Sequence, residues 1–147
     1  MIYLYAFALV AGIANAFQAG ANSTLSKTLN QPFLAALMIV GVSALTLAAA
    51  GLISGRLAWP TSAAFAAVPW WAWGGGLLSA LLLMSQLFVA EAIGAGPFLG
   101  IIVVAGTLAS LLIDNYGLVG FKLHPLNAWR IVGGALMGAG VLLVALF

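Results

Sequence analysis

Three large amides, Asn15, Gln18 and Asn22, recur at i, i+3 and i+7 near the start of this 147-residue chain. On a helix those positions share one face, so the carboxamides form a single stripe. Each carboxamide both donates and accepts hydrogen bonds. Such a stripe either joins a neighbouring helix or lines a cavity that holds a polar solute. Gln86 and Ser79, seven residues apart, repeat the arrangement further along. Thr107, Ser110 and Asp114 form a third stripe with the same spacing as the first. Thr and Ser hydroxyls commonly bond back to their own helix, so Ser43 and Thr46 are expected to be satisfied in that way. The carboxylates Glu91 and Asp114 carry more chemistry. Asp114 lies near Arg130 if two adjacent helices meet at that end, and either an ion pair or a gating role follows. Glu91 is read as a solvated interfacial residue or as a titratable coupling group.

Other chemistries find no residues to support them. The chain has no cysteine, and its single histidine, His124, has no metal-ligand spacing around it. Gly74-Gly75-Gly76 is not followed by the Gly-Lys-Ser/Thr of a phosphate loop. Asn22-Ser23-Thr24 matches a glycosylation sequon but falls within an apolar helix. No nucleophile, base and acid form a set. The sequence therefore points away from an enzyme, a cofactor or a metal site.

The elements that position these residues follow from composition. Six residues are charged, four basic (Lys27, Arg56, Lys122, Arg130) and two acidic. A soluble domain carries about a quarter charged residues; here the share is 4%, with 65% hydrophobic and a mean hydropathy of +1.24. The chain lacks the means to coat a soluble surface and reads as an integral membrane protein. A span needs roughly 20 apolar residues and must be helical, because lipid offers no partner to backbone groups. The polar breaks leave five spans, at about 3–25, 32–54, 70–91, 97–116 and 128–147. The expected fold is one all-α, five-helix transmembrane domain over residues 1–147. An apolar N-terminal run without a basic leader region is expected to be the first span rather than a cleaved signal. The pI of 9.4 reflects a net charge of only +2, which gives no support for nucleic acid binding.

Five spans put the termini on opposite faces. Arg56, Lys122 and Arg130 then share the N-terminal face with all five tryptophans, and Lys27 lies on the other. The positive-inside rule favours a cytoplasmic N-terminus, by a margin small enough to leave insertion in both orientations open.

Phe17-Gln18-Ala19-Gly20-Ala21-Asn22 resembles the opening motif of the YdcZ-type family of the drug/metabolite transporter superfamily. The same holds for Pro69-Trp70-Trp71-Ala72-Trp73-Gly74-Gly75-Gly76, for Ser110-Leu111-Leu112-Ile113-Asp114-Asn115-Tyr116-Gly117, and for Arg130 followed by Gly133-Gly134. The likeness covers nearly the whole chain. It departs at Thr107, where members of the family often carry Gln after the glycine of span four. The resemblance implies a bacterial inner-membrane exporter of a small metabolite or drug. It also implies half of a ten-helix inverted-repeat transporter, working as an antiparallel dimer with itself or with a paired homologue.

Small proton-coupled exporters of this superfamily place a carboxylate near the midplane. Here the midplane residues Asn15, Gln18, Ser43 and Thr107 are neutral, and both carboxylates lie near span ends. A hydrogen-bonding neutral or zwitterionic substrate fits better than a cation. The expected substrate site is Asn15, Gln18, Asn22, Gln86 and Thr107 with Trp73 as an aromatic wall; Asp114, Glu91 and Arg130 are the expected coupling or gating groups. Small residues form ridges at Ala8-Gly12-Ala16-Gly20, Gly96-Gly100 and Gly134-Gly138, where helices can approach closely. Gly134 and Gly138 are the expected dimer contact. A passive dimeric channel, or an accessory subunit without flux of its own, fits the same residues.

Overall fold

A computed structural model describes residues 2–147. Among them, six α-helices follow in chain order: α1 Ile2–Leu29, α2 Pro32–Ile53, α3 Ser62–Ala66, α4 Gly74–Ile93, α5 Ala95–Tyr116 and α6 Ala128–Leu146. A 3₁₀ turn, Trp70–Trp73, leads directly into α4, and another, Leu118–Gly120, follows α5. Helix makes up 84% of the structure, and no strand occurs among the described residues, as lipid requires of a backbone that must satisfy itself. Five helical segments are long and apolar enough to cross a membrane: Ile2–Leu29, Pro32–Ile53, Trp70–Ile93, Ala95–Tyr116 and Ala128–Leu146.

The ends of these segments show which local chemistry sets them. α1 continues four residues past its expected end, through Ser26-Lys27-Thr28. The Thr24 hydroxyl donates to the Gly20 carbonyl and that of Thr28 to the Thr24 carbonyl, each at 2.9 Å, so the polar residues are absorbed by the helix itself. Lys27 in the last turn suits the negative end of the helix dipole. Asn30, left-handed at φ 53°, then stops the helix. At 28 residues, α1 is about 42 Å long, against about 30 Å of hydrocarbon. It therefore tilts or extends into the headgroup region. Pro32 opens α2 in its first turn, where a missing N–H costs nothing. The break expected between the third and fourth spans contracts to Gly94, at φ 90° and ψ 155°, and Ala95, Gly96 and Pro97 join α5.

The segment between α2 and α4 is not a plain loop. Gly51 accepts the N–H groups of both Arg56 and Leu57 at 3.0 Å, and a Cβ there would lie 2.9 Å from that of Leu57. The chain thus folds back tightly against the end of α2. The Thr61 hydroxyl caps α3 by accepting from the Ala64 N–H at 3.3 Å. Phe65 on α3 stacks on Trp73 (6.2 Å, 5° between planes) and contacts Trp59 (6.4 Å).

The chain divides into two compact units, one up to Phe88 and one from Val89. In the first, α1 packs on α2, and the small residues Ala19, Ser26, Ala35 and Ala36 are buried. In the second, α5 packs on α6. A Cβ at Gly100 would meet Val141 at 3.0 Å, and one at Gly134 would meet Leu108 at 3.3 Å and Leu111 at 3.6 Å. The glycines let these backbones approach where lipid supplies no hydrophobic drive.

Candidate functional site

The amides of α1 meet α4 through Gln86. The Asn22 Nδ2 donates to the Gln86 Oε1 at 2.9 Å, and the Gln86 Nε2 donates to the Asn15 Oδ1 at 3.3 Å. Asn22 and Gln86 are each only 5% exposed. An unpaired carboxamide in such a place costs about 1–3 kcal/mol on the scale of protein mutations, so the mutual pairing fixes which face of α4 turns toward α1. α4 makes no close backbone approach to α1 or α2; long side chains bridge the distance. Besides the Gln86 bridge, Phe33 of α2 meets Phe88 of α4 edge-on at 6.3 Å.

The space between these helices is a cavity of about 420 Å³, within the usual range for small-molecule sites, about 300–1,000 Å³. Its polar wall is Asn15, Gln18, Ser43, Ser79 and Gln86, and Val40, Leu82 and Leu83 belong to its apolar part. None of the lining residues is charged. Gln18 and Ser43 also line a neighbouring cavity of about 410 Å³, with Asn22 and Met38. The i, i+3, i+7 stripe is thus divided in its work: Asn22 is spent on Gln86, Gln18 is exposed in the cavity wall, and Asn15 does some of each. Ser43 and Ser79 do bond to their own helix, donating to Ile39 and Gly75 at 2.9 Å. They nonetheless face the cavity, which the spacing of a hydroxyl along a helix does not reveal.

The remaining expected residues lie elsewhere. Trp73 stacks on Phe65 beside the connector. Thr107 is half-buried on α5, in the second unit. Glu91 is exposed within the last turn of α4. Gly134 is buried against α5, whereas nothing lies within 4 Å of a Cβ built at Gly138. Nor does anything lie within 4 Å at Gly12 or Gly20, so the small-residue ridge of α1 is open at both glycines.

Asp114 and Arg130 form the expected pair, Nη2 to Oδ2 at 3.2 Å, with side chains 25% and 33% exposed. The pair is the centre of a clamp that the sequence reading missed. The Arg130 Nη1 donates to the His124 carbonyl at 3.0 Å, and the His124 N–H donates to the Asp114 carbonyl at 2.8 Å. The Asn115 Oδ1 accepts from the Leu126 N–H at 3.0 Å, and the Asn127 Oδ1 caps α6 by accepting from the Arg130 N–H at 2.9 Å. Gly117, left-handed at φ 61°, ends α5 and turns the chain into this loop. The Asp-Asn-Tyr-Gly and Asn-Ala-Trp-Arg segments are therefore a matched C-cap and N-cap. An Asn directly before an apolar helical run was the available signal.

Five membrane-length helices, three of which line an uncharged, amide-walled cavity, define a small polytopic helical membrane protein. The chain belongs to the family described as "putative inner membrane exporter, YdcZ", whose model matches residues 3–143. That family is one of inner-membrane transporters rather than of enzymes, which supports a membrane transporter. No curated protein and no solved structure gives a significant match.

Proposed function

We propose that this protein exports a small neutral or zwitterionic metabolite or drug by alternating access, as an antiparallel dimer with itself or with a paired homologue. The observation that carries this reading is the uncharged cavity between α1, α2 and α4, lined by Gln18, Ser43, Ser79 and the Asn15–Gln86 bridge. Transporters of inverted-repeat design place their substrate at such a midplane site. α4 is tied to its neighbours by side-chain bonds rather than by close backbone packing, so it can shift by exchanging those bonds without breaking a tight helix–helix seam. The Asp114–Arg130 clamp holds the α5–α6 loop, and Glu91 and Thr107 complete the coupling and binding groups of the assembled pair. The three-to-one distribution of cations over the two faces favours a cytoplasmic N-terminus while permitting the inverted copy.

Two measurements on the purified chain in proteoliposomes test the proposal. Solute flux should saturate and respond to a solute or pH gradient, and preloaded unlabelled solute should accelerate exchange; an unsaturable, gradient-independent leak would identify a passive channel instead. Since the chain has no cysteine, single cysteines beside Lys27 and His124 report orientation. Each should label from both sides, and labelling of each from one side only would exclude the antiparallel homodimer.

A further inference from the structure

The amide-lined cavity adjoins an apolar one. Between α2 and α4 lies a space of about 640 Å³ whose wall includes Phe33, Leu37, Val40, Ser79, Leu83 and Met84. Val40, Ser79 and Leu83 line both spaces, so the two meet along a shared seam. Their chemistry differs sharply across it. Among the described residues lining the apolar part, Ser79 is the one polar side chain, and its hydroxyl proton is already given to Gly75.

The polar part has a readable donor and acceptor pattern. The amide chain runs in one direction, from Asn22 through Gln86 to the Asn15 Oδ1. This leaves the Asn15 Nδ2 as that residue's donor group, with one lone pair of its Oδ1 already taken. The hydroxyl protons of Ser43 and Ser79 are committed to Ile39 and Gly75, which leaves their oxygens as acceptors. Gln18 supplies one of each. A carbonyl oxygen beside an N–H group complements this arrangement. A full charge does not, because neither space has a counter-ion in its wall and an unpaired charge at membrane depth is costly.

We infer that the α1–α2–α4 site takes a neutral amphiphile, with a carboxamide-type head held by Asn15, Gln18, Ser43 and Ser79 and an apolar body seated between α2 and α4. The inference rests on the transport reading above for its biological sense, but binding tests it independently of flux. The seam of Val40, Ser79 and Leu83 that both cavities share assigns the apolar space to the body of the same ligand. Exposed Phe33 and Leu37 at its rim give that body a route from the bilayer.

The test uses an N-hexyl acetamide carrying a photoreactive diazirine in its chain, added to the full-length protein in phosphatidylethanolamine–phosphatidylglycerol vesicles. Matched ammonium, carboxylate and headless hydrocarbon probes serve as comparisons. The amide probe should label the 33–40 and 76–84 segments saturably. Gln18→Leu and Val40→Trp should each lower that labelling about tenfold, the loss expected for about 1.4 kcal/mol of binding, with unchanged thermal unfolding. Labelling that does not saturate, or that the headless probe reproduces, would mean an ordinary lipid site and would overturn the inference. So would equal saturable labelling by a charged probe, or a Val40→Trp variant whose oligomeric state changes, which would assign the groove to a second copy. Saturable amide labelling without amide flux would sustain the ligand class and refute transport. Saturable flux of a charged solute without amide labelling would do the reverse.

Discussion

Gln86 and Gln18 are chemically identical and structurally opposite. Gln86 is buried and bonded at both ends of its carboxamide, whereas Gln18 is exposed to the cavity. Removing the first strands Asn22, a buried partner; removing the second strands nothing within the unit. Gln86→Leu is expected to cost about 2–4 kcal/mol, from two interhelical bonds of about 0.6 kcal/mol each and the orphaned amide. Gln18→Leu should stay within about 0.5 kcal/mol of the parent and lower solute affinity instead. Unfolding in a detergent–SDS titration, set beside the concentration dependence of flux, separates the two. Equal destabilisation by both would contradict the division of roles. The sequence makes the Asn15-Gln18-Asn22 stripe visible because helical spacing shows which residues share a face. It does not show what that face meets, so nothing in the spacing distinguishes the bonded amides from the free one.

At the scale of the element, the α5–α6 hairpin is closed by its loop as well as by its glycines. Arg130 holds both the Asp114 carboxylate and the His124 carbonyl, so its loss should exceed that of its partner. Arg130→Gln is expected to destabilise more than Asp114→Asn, and the double variant should show a coupling of about 0.5–1 kcal/mol for this partly exposed pair. Additivity of the two single effects would dismiss the clamp. A charge near the end of one span and another at the start of the next made this pair legible in advance. The caps made by Asn115 and Asn127 were not, since they depend on a loop path set by left-handed Gly117 and by Val119 at φ 54°, a conformation that a β-branched residue rarely adopts.

For the whole molecule, the five spans were legible from composition because lipid leaves so few options to a chain with six charges. Their ends were less so. Self-bonded Thr24 and Thr28 carry α1 through a stretch that looks like a loop, one glycine suffices between α4 and α5, and the five-residue α3 is shorter than any hydropathy window. The Gln86 bridge, the edge-on Phe33–Phe88 contact and the two adjoining cavities make α4 the wall against which a solute would sit. A single residue tests that claim most directly. Ser43 lines the polar cavity, while Leu45, two residues on and 73% exposed, is not among its lining. In the cysteine-free chain, Ser43→Cys and Leu45→Cys can be treated with a membrane-impermeant trimethylammonium methanethiosulfonate in proteoliposomes. A thiol ionises and reacts only where water reaches it, so Ser43→Cys should react at least roughly tenfold faster and lose flux as it does. Equally slow reaction at both positions would place Ser43 against lipid and contradict a solute pathway between α1, α2 and α4.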